Sequence, residues 1–326
     1  MENKAKRFLI IDSNSVIHRA YHALPPLTTK KGALVNAVYG FLLVFLKALK
    51  DFQPNYIAAA FDLSGPTFRH IKYKEYKAKR PKTPEELYLQ IPKIKEVLTA
   101  FNVSIFEKQG FEADDIIGTL AFLSPAETII LSGDSDTLQL VDFKTKVCAL
   151  RKGVKDIVLY DENLVKEKFQ GLFPEQVLDF KALRGDPSDN IPGVSGVGEK
   201  TAIQLLLKFG NLENIYKEIE ENSQASQSIR LKLREIILKY KEQAFLSKDL
   251  AKIEKTVPLD FLLQECCWQK INKEKISQVF EKFGFYSLIK RINNNEFLSC
   301  PFQLDLHKED KKLKVENKNN NVNLKN

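Results

Sequence analysis

Nine acidic residues draw attention because of what precedes them. Asp12 closes the apolar run Phe8-Leu9-Ile10-Ile11, and Asp62 closes Tyr56-Ile57-Ala58-Ala59-Ala60-Phe61. Thr128-Ile129-Ile130-Leu131 leads into Ser132-Gly133-Asp134-Ser135-Asp136, and Val103 to Phe106 leads toward Glu112-Ala113-Asp114-Asp115. Asp186 and Asp189 follow in Gly185-Asp186-Pro187-Ser188-Asp189-Asn190. Continuous apolar runs read as buried parallel strands. In an open parallel sheet the carboxyl ends of the strands share one edge, and ligands bind there. One acid after a strand is often a helix cap or a solvated turn residue. Four strand ends carrying acids, in a chain of net charge +8, need another explanation.

Carboxylates gathered in one cleft raise each other's pKa, and a divalent cation relieves the repulsion. Hard oxygen ligands are the preference of Mg²⁺ and Mn²⁺. Cys148, Cys266, Cys267 and Cys300 form no C-x-x-C pair, and with four histidines no zinc spacing is present. A phosphatase with an aspartyl nucleophile would want a second Asp two residues after Asp12, and that position is Asn14.

Directly after Asp62 comes a basic, aromatic segment, TFRHIKYKEYKAKRPK, from Thr67 to Lys82. Arg69, Lys72, Lys74, Lys77, Lys79, Arg80 and Lys82 face only Glu75, with Phe68, Tyr73 and Tyr76 interleaved. A charge run is usually a solvated face. Its place beside the acidic edge favours phosphate neutralisation and base stacking instead. A second polyanion signal is Gly193-Val194-Ser195-Gly196-Val197-Gly198-Glu199-Lys200 before the apolar stretch from Ile203 to Phe209. Closely spaced glycines at a helix N-terminus expose backbone N–H groups to phosphate. No strand precedes this turn, so it is neither a dinucleotide fingerprint nor a Walker loop. It reads as a helix–turn–helix that grips a DNA backbone without reading bases.

The elements needed to hold these residues alternate. Apolar runs are separated by helical stretches over residues 35–49, 86–101 and 113–122, and Pro92 interrupts the second near its start. Strands alternating with helices predict an α/β fold with a central, mostly parallel sheet covered by helices. Residues 146–160 suggest a hairpin about Lys152-Gly153, and residues 164–292 read as almost entirely helical. After Ile292 the composition shifts to Asn, Lys and Glu, so 293–326 reads as a disordered tail. With 326 residues, 44% of them hydrophobic, two packed units or one core with an appended subdomain are expected. The longest apolar run, Tyr39 to Leu49, contains Lys47 and is too short to span a bilayer. With no secretory signal visible, a cytoplasmic protein with no membrane partner is expected.

Taken together, LIIDSNSVIHRAYHAL, FDLSGPTFRHIKYKEYKAKRP, FEADDIIGTLA, LSGDSDTLQL and ALRGDPSDNIPGVSGVGEKTA resemble the 5′→3′ exonuclease domain of bacterial DNA polymerase I, within the flap endonuclease superfamily. The resemblance runs from about Arg7 to about Arg291. It implies a PIN-like 5′-nuclease core over 1–163 with a basic helical arch at 65–92, and a helical DNA-binding region over 164–292 with a helix–three-turn–helix at 178–210. Asp12, Asp62, Glu112 and Asp114 would form a first metal cluster, and Asp134, Asp136 and Asp186 a second. Asp115 and Asp189 would act through water. Lys77 and Arg80 match residues that reach the scissile phosphate, and Arg19 and Tyr76 match residues near the substrate strand. Gly196, Gly198 and Lys200 would hold downstream duplex, where the family also binds K⁺. Ser135 departs from the basic residue usual at its position.

The chemistry so implied is two-metal hydrolysis of DNA phosphodiesters, removing 5′ flaps and 5′-terminal nucleotides in replication and repair. Its partner is branched or nicked duplex, with a DNA polymerase acting in cis or in trans and the nuclease itself a monomer. Two rivals differ in class: a related ribonuclease, which the glycine turn disfavours, and a module that only binds branched DNA, which the second acidic set disfavours.

Overall fold

The computed structural model describes residues 6–294 except 155, 269 and 270, together with residue 296. The expected tail, 293–326, lies almost wholly outside the described residues. Six strands form one sheet: β1 (Arg7–Asp12), β2 (Tyr56–Ala60), β3 (Ser104–Phe106), β4 (Glu127–Ser132), β5 (Thr145–Lys152) and β6 (Asp156–Tyr160). Their order is β3-β2-β1-β4-β5-β6. All neighbours are parallel except β5 and β6, which pair antiparallel across the turn at Gly153. The strand order reverses between β1 and β4, so their carboxyl ends open a crevice there.

Side chains of β1 divide by parity. Leu9 and Ile11 join a core with the Asn36–Phe52 and Ile91–Ala100 helices, whereas Phe8 and Ile10 face the Ala113–Leu123 helix. Both faces are covered, which explains why β1 and β4 read as unbroken apolar runs. The helical stretch expected over 86–101 is divided into Glu85–Tyr88 and Ile91–Ala100, with Pro92 in the first turn of the second, where its missing N–H costs little. The Ser13–Ala23 helix, not foreseen as an element, begins on Asp12, whose carboxylate accepts from Ser15 N.

Two differences from the sequence reading matter. The basic arch is helical only over Phe68–Lys72 and Glu85–Tyr88. Between them the chain turns, with Lys77 at φ +56° and prolines at 81 and 84. Helical residues 164–292 also do not form one body. The Lys273–Phe283 and Tyr286–Asn293 helices return to the sheet, burying Ile276, Phe280, Leu288 and Ile292 in the core beside the Asn36–Phe52 helix. Trp268 marks the return, its indole N–H donating to Phe101 O. A separate core is built by the Val177–Arg184, Glu199–Phe209 and Leu212–Glu220 helices.

The glycine turn is held by contact, not only by conformational freedom. Gly193 has φ +62°, and a Cβ there would lie 2.2 Å from Gly185 N. Its N–H donates to Ser247 Oγ and its carbonyl accepts from Gln243. Gly193→Ala is therefore expected to destabilise the protein by about 3 kcal/mol or more, combining a strained φ with a backbone clash. Gly198→Ala, at a position with nothing within 4 Å, should be near neutral. Urea denaturation of both variants checks this, and an unchanged Gly193→Ala midpoint would contradict the described packing.

Candidate active site at the sheet edge

The acids that follow β1, β2, β3 and β4 meet at the switch point. A cavity of about 520 Å³ is lined by Asp12, Asp62, Glu112, Asp114 and Asp134 together with Lys77 and Arg80. A second cavity of about 360 Å³ is lined by Asp134, Asp136 and Asp186, with Lys168, Lys181 and Arg184. Asp134 borders both. Asp134, expected in the second set, therefore lines the larger cavity beside the first set as well as the smaller one.

Local structure fixes several of these side chains. Asp12 Oδ2 accepts from Ser132 Oγ at 2.5 Å, tying the ends of β1 and β4 together. Asp62 Oδ1 accepts from Ala113 N at 2.7 Å, so the acid after β2 sits at the N-terminus of the Ala113–Leu123 helix. Negative charge is favoured at that pole. Asp134 Oδ1 accepts from Asp136 N in the same manner.

Burial pushes the Asp12 carboxyl up to about 6, with Asp134 adding to the rise. Asp114 is raised by burial and by Asp12, Asp134 and Asp136. Burial and Asp134 lift Asp136 to about 7 although Lys181 opposes them. Among the described residues no three His, Cys, Asp or Glu side chains draw in on a common point. Lysines stand between them. Lys77 Nζ lies 2.7 Å from Glu112 Oε1, and Lys181 Nζ bridges Asp136 and Asp186. Burial would lift Glu112, but Lys77 and Arg69 outweigh it and hold the carboxyl below its usual value. Lys181 likewise overcomes burial and holds Asp186 down at about 2.

Other expected site residues are committed elsewhere. Asp115 is buried and absent from both cavity linings. Arg69 donates to its two oxygens at 2.7 Å each. Asp189 accepts from Arg80 and, at 3.2 Å, from the Tyr76 hydroxyl. Tyr76 is itself 3% exposed and also donates to Glu112, so it braces acids and presents no stacking face. Arg19 borders the larger cavity while donating to Arg151 O and Gly133 O. Gly196, Gly198 and Lys200 border neither cavity and sit at the start of the Glu199–Phe209 helix, with Lys200 exposed.

Sequence reasoning passed over four residues. His18 and His22 line the larger cavity with Asn14, one helical turn apart. Their i, i+4 spacing was the available signal. Arg69 was counted only as part of a charge run, yet it is 2% exposed. Its remaining donors go to Glu112, Leu250 O and Lys252 O. Lys181 carried no signal, because nothing local distinguishes it from a surface lysine on the Val177–Arg184 helix.

Comparison with known proteins now assigns the family. Residues 7–170 match the model of the 5′-3′ exonuclease N-terminal resolvase-like domain, and residues 172–274 that of the 5′-3′ exonuclease C-terminal SAM fold. The chain belongs to the 5′-3′ exonuclease family. It is 44% identical over 293 residues to DNA polymerase I of Bacillus subtilis (strain 168), covering 89% of this chain and 32% of that one. It is 42% identical over 303 residues to DNA polymerase I of Caldicellulosiruptor bescii, covering 91% and 34%. This member of the family therefore spans about a third of the length of these curated relatives. The T5 D15 protein co-crystallised with metal ions shares its fold at a TM-score of 0.64 and 19% identity, over 87% of this chain and 98% of that one. So does the catalytic core of Rad2 in complex with DNA substrate, at a TM-score of 0.55 and 18% identity, over 86% and 87%.

The raised carboxyls have a consequence for stability. Between the ordinary value of 3.8 and about 6 to 7, Asp12 and Asp136 hold protons in the folded chain that the unfolded chain has released. The folded state binds more protons in that window, so stability falls as pH rises through it. His18, lowered by burial, works in the opposite sense, but one imidazole opposes several carboxyls. Metal-free protein in EDTA is expected to melt at a higher temperature near pH ~5.5 than near pH ~8, and excess Mg²⁺ should flatten or reverse that slope. A higher melting temperature at the alkaline end in EDTA would refute the reading of the acidic edge as electrostatically frustrated.

Proposed function

We propose that this chain is a divalent-cation-dependent 5′-nuclease that hydrolyses DNA phosphodiesters, removing 5′ flaps and 5′-terminal nucleotides. The observation that carries it is the donor set. Two groups of oxygen ligands, Asp12, Asp62, Glu112 and Asp114 in one and Asp134, Asp136 and Asp186 in the other, line adjoining cavities that share Asp134. Buried carboxyls that repel one another fit Mg²⁺ or Mn²⁺, and among the described residues no cysteine lines either cavity. The T5 5′-exonuclease, whose fold this chain shares, has been crystallised with divalent zinc ions, which supports a divalent-cation site but does not select the ion.

When bound, two cations supply an activated water and offset charge on the leaving oxygen. The chain's own residues do the rest. Lys77, paired with Glu112, and Arg80, paired with Asp189, line the larger cavity beside the carboxylates, so a phosphodiester entering there meets cations next to the acids. Those cations stabilise charge that grows on the phosphoryl oxygens during attack. Arg19, held by two backbone carbonyls, adds a fixed cation at the cavity wall. Asp115 and Asp189 position Arg69 and Arg80 and do not touch the reacting phosphate. Duplex is held by the Gly193–Lys200 turn, through phosphates rather than base edges. K⁺ bound at that turn, action beside a DNA polymerase in cis or in trans, and a monomeric state belong to the same reading. The likeness to DNA polymerase I and to Rad2 with DNA substrate supports it. No described helix is long and apolar enough to cross a membrane.

A labelled 5′-flap duplex is expected to be cut with Mg²⁺ or Mn²⁺ and left intact with EDTA. Undiminished cutting in EDTA would overturn the metal mechanism. Lys200→Ala is expected to weaken binding to all duplex substrates alike and to lower the salt slope by about one. Binding assayed across a salt series checks this, and altered sequence preference with the slope intact would count against a backbone grip.

A further inference from the structure

Lys181 is the residue for which the proposed chemistry has no role so far. It lies in the last turn of the Val177–Arg184 helix, and 9% of it is exposed. Its ammonium is 2.8 Å from Asp186 Oδ2 and pairs directly with Asp136 Oδ1. Asp136 follows β4 in the nuclease core, whereas Asp186 belongs to the loop before the glycine turn. One ammonium thus occupies the point between two carboxylates that the second cation would need. We propose that Lys181 is a built-in counter-ion of the second carboxylate set, which competes with the divalent cation and is expelled from between Asp136 and Asp186 when that cation binds. This inference rests on the metal-dependent reading above.

Two functions are conceivable for such a lysine, and the geometry separates them. If Lys181 were needed to gather the acids, its removal would scatter them and weaken metal binding. The backbone makes that unnecessary. Asp186 N donates to Ile191 O and Ile191 N to Asp186 O, both at 2.9 Å, closing the loop on itself. Asp186 Oδ1 is further held by the backbone N–H and the hydroxyl of Ser188. The backbone N–H of Asp136 donates to Asp134 Oδ1, which fixes the turn that carries Asp136. The Asp186 carboxylate and the Asp136 backbone therefore keep their places without Lys181, and the ammonium acts mainly as a charge. A dication and an ammonium within hydrogen-bond reach of the same oxygens repel strongly. The ammonium has room to leave, since Lys181 borders the 360 Å³ cavity and its stem has rotatable bonds to swing on. Lys77 stands in the same relation to Glu112 in the first set. The larger cavity, however, already faces the substrate side, where a displaced Lys77 finds a phosphate.

The test is Mn²⁺ binding without DNA, by electron paramagnetic resonance and calorimetry on the full chain. Wild type is expected to show a tight and a weak class of sites. Lys181→Met, nearly equal in shape, should tighten the weak class roughly tenfold or more. Lys181→Arg keeps a cation that cannot deprotonate and should leave that class as weak as wild type or weaker. Weak-class affinity in Lys181→Met equal to or below that of wild type would overturn the inference while leaving the metal reading intact. Absence of any Mn²⁺ binding to wild type would overturn both. A second measurement does not depend on the folding of Lys181→Met. In wild type labelled with ¹⁵N-lysine, a protected ammonium resonance absent from Lys181→Arg should be lost on saturation with Mg²⁺. Its persistence at saturation would show that the lysine stays, and the inference would fall.

Discussion

Charge crowding at the carboxyl edge of a parallel sheet is the constraint on which the rest of this molecule depends. Asp12 at the end of β1, Asp114 in the first turn of the Ala113–Leu123 helix and Asp136 after β4 stand in low-dielectric surroundings. Each is close enough to others to make full ionisation costly. Such an arrangement survives only if cations are supplied, and here the chain provides its own. Lys77 neutralises Glu112, Arg80 neutralises Asp189, and Lys181 neutralises Asp136 and Asp186. These cations offset only part of the acidic charge, and Asp12, Asp114 and Asp136 remain raised.

The same cations couple parts of the chain that are far apart in sequence. Arg69 uses its fork of donors on Asp115, Glu112, Leu250 O and Lys252 O, so the basic segment, the acid helix and the exit from the helical region share one buried centre. Beside it, Tyr76 packs with Ile191 and Leu250 in a small apolar cluster. Truncating a partner in such a network leaves an uncompensated buried charge, which is why these pairs bind the regions firmly even where their net contribution to stability is modest. The loop before the glycine turn is thereby tied to the acidic edge, through Asp189 on Arg80 and through Asp186 and Asp136 on Lys181.

Much of this was legible in the residue order. Buried strands covered on both faces must be apolar at every position, so β1 and β4 announced themselves. The acids that follow them had to share an edge once the sheet was parallel. The fate of the two terminal helices was less legible. Ile276, Phe280, Leu288 and Ile292 form an apolar stripe that would suit either core, and only packing decides that they seal the sheet beside the Asn36–Phe52 helix. The arch was read as helical from its resemblance, whereas Pro81, Pro84 and the left-handed Lys77 make it a sequence of turns.

By itself, then, the amino-acid order determined the sheet, its acidic edge, the carboxylate donor chemistry and the glycine turn. Each follows from local rules: burial pattern, strand-end geometry, ligand hardness and backbone freedom. Partner choice among charges was left to the tertiary structure. Asp114 and Asp115 are neighbours in sequence, yet a helix turns one into the cavity and the other onto buried Arg69. Lys181 and Lys200 are both lysines on helices, yet one is enclosed between two carboxylates and the other is exposed. The reason is electrostatic. What a charge does depends on the few ångströms around it and on the local dielectric, and neither quantity exists until distant segments have folded together.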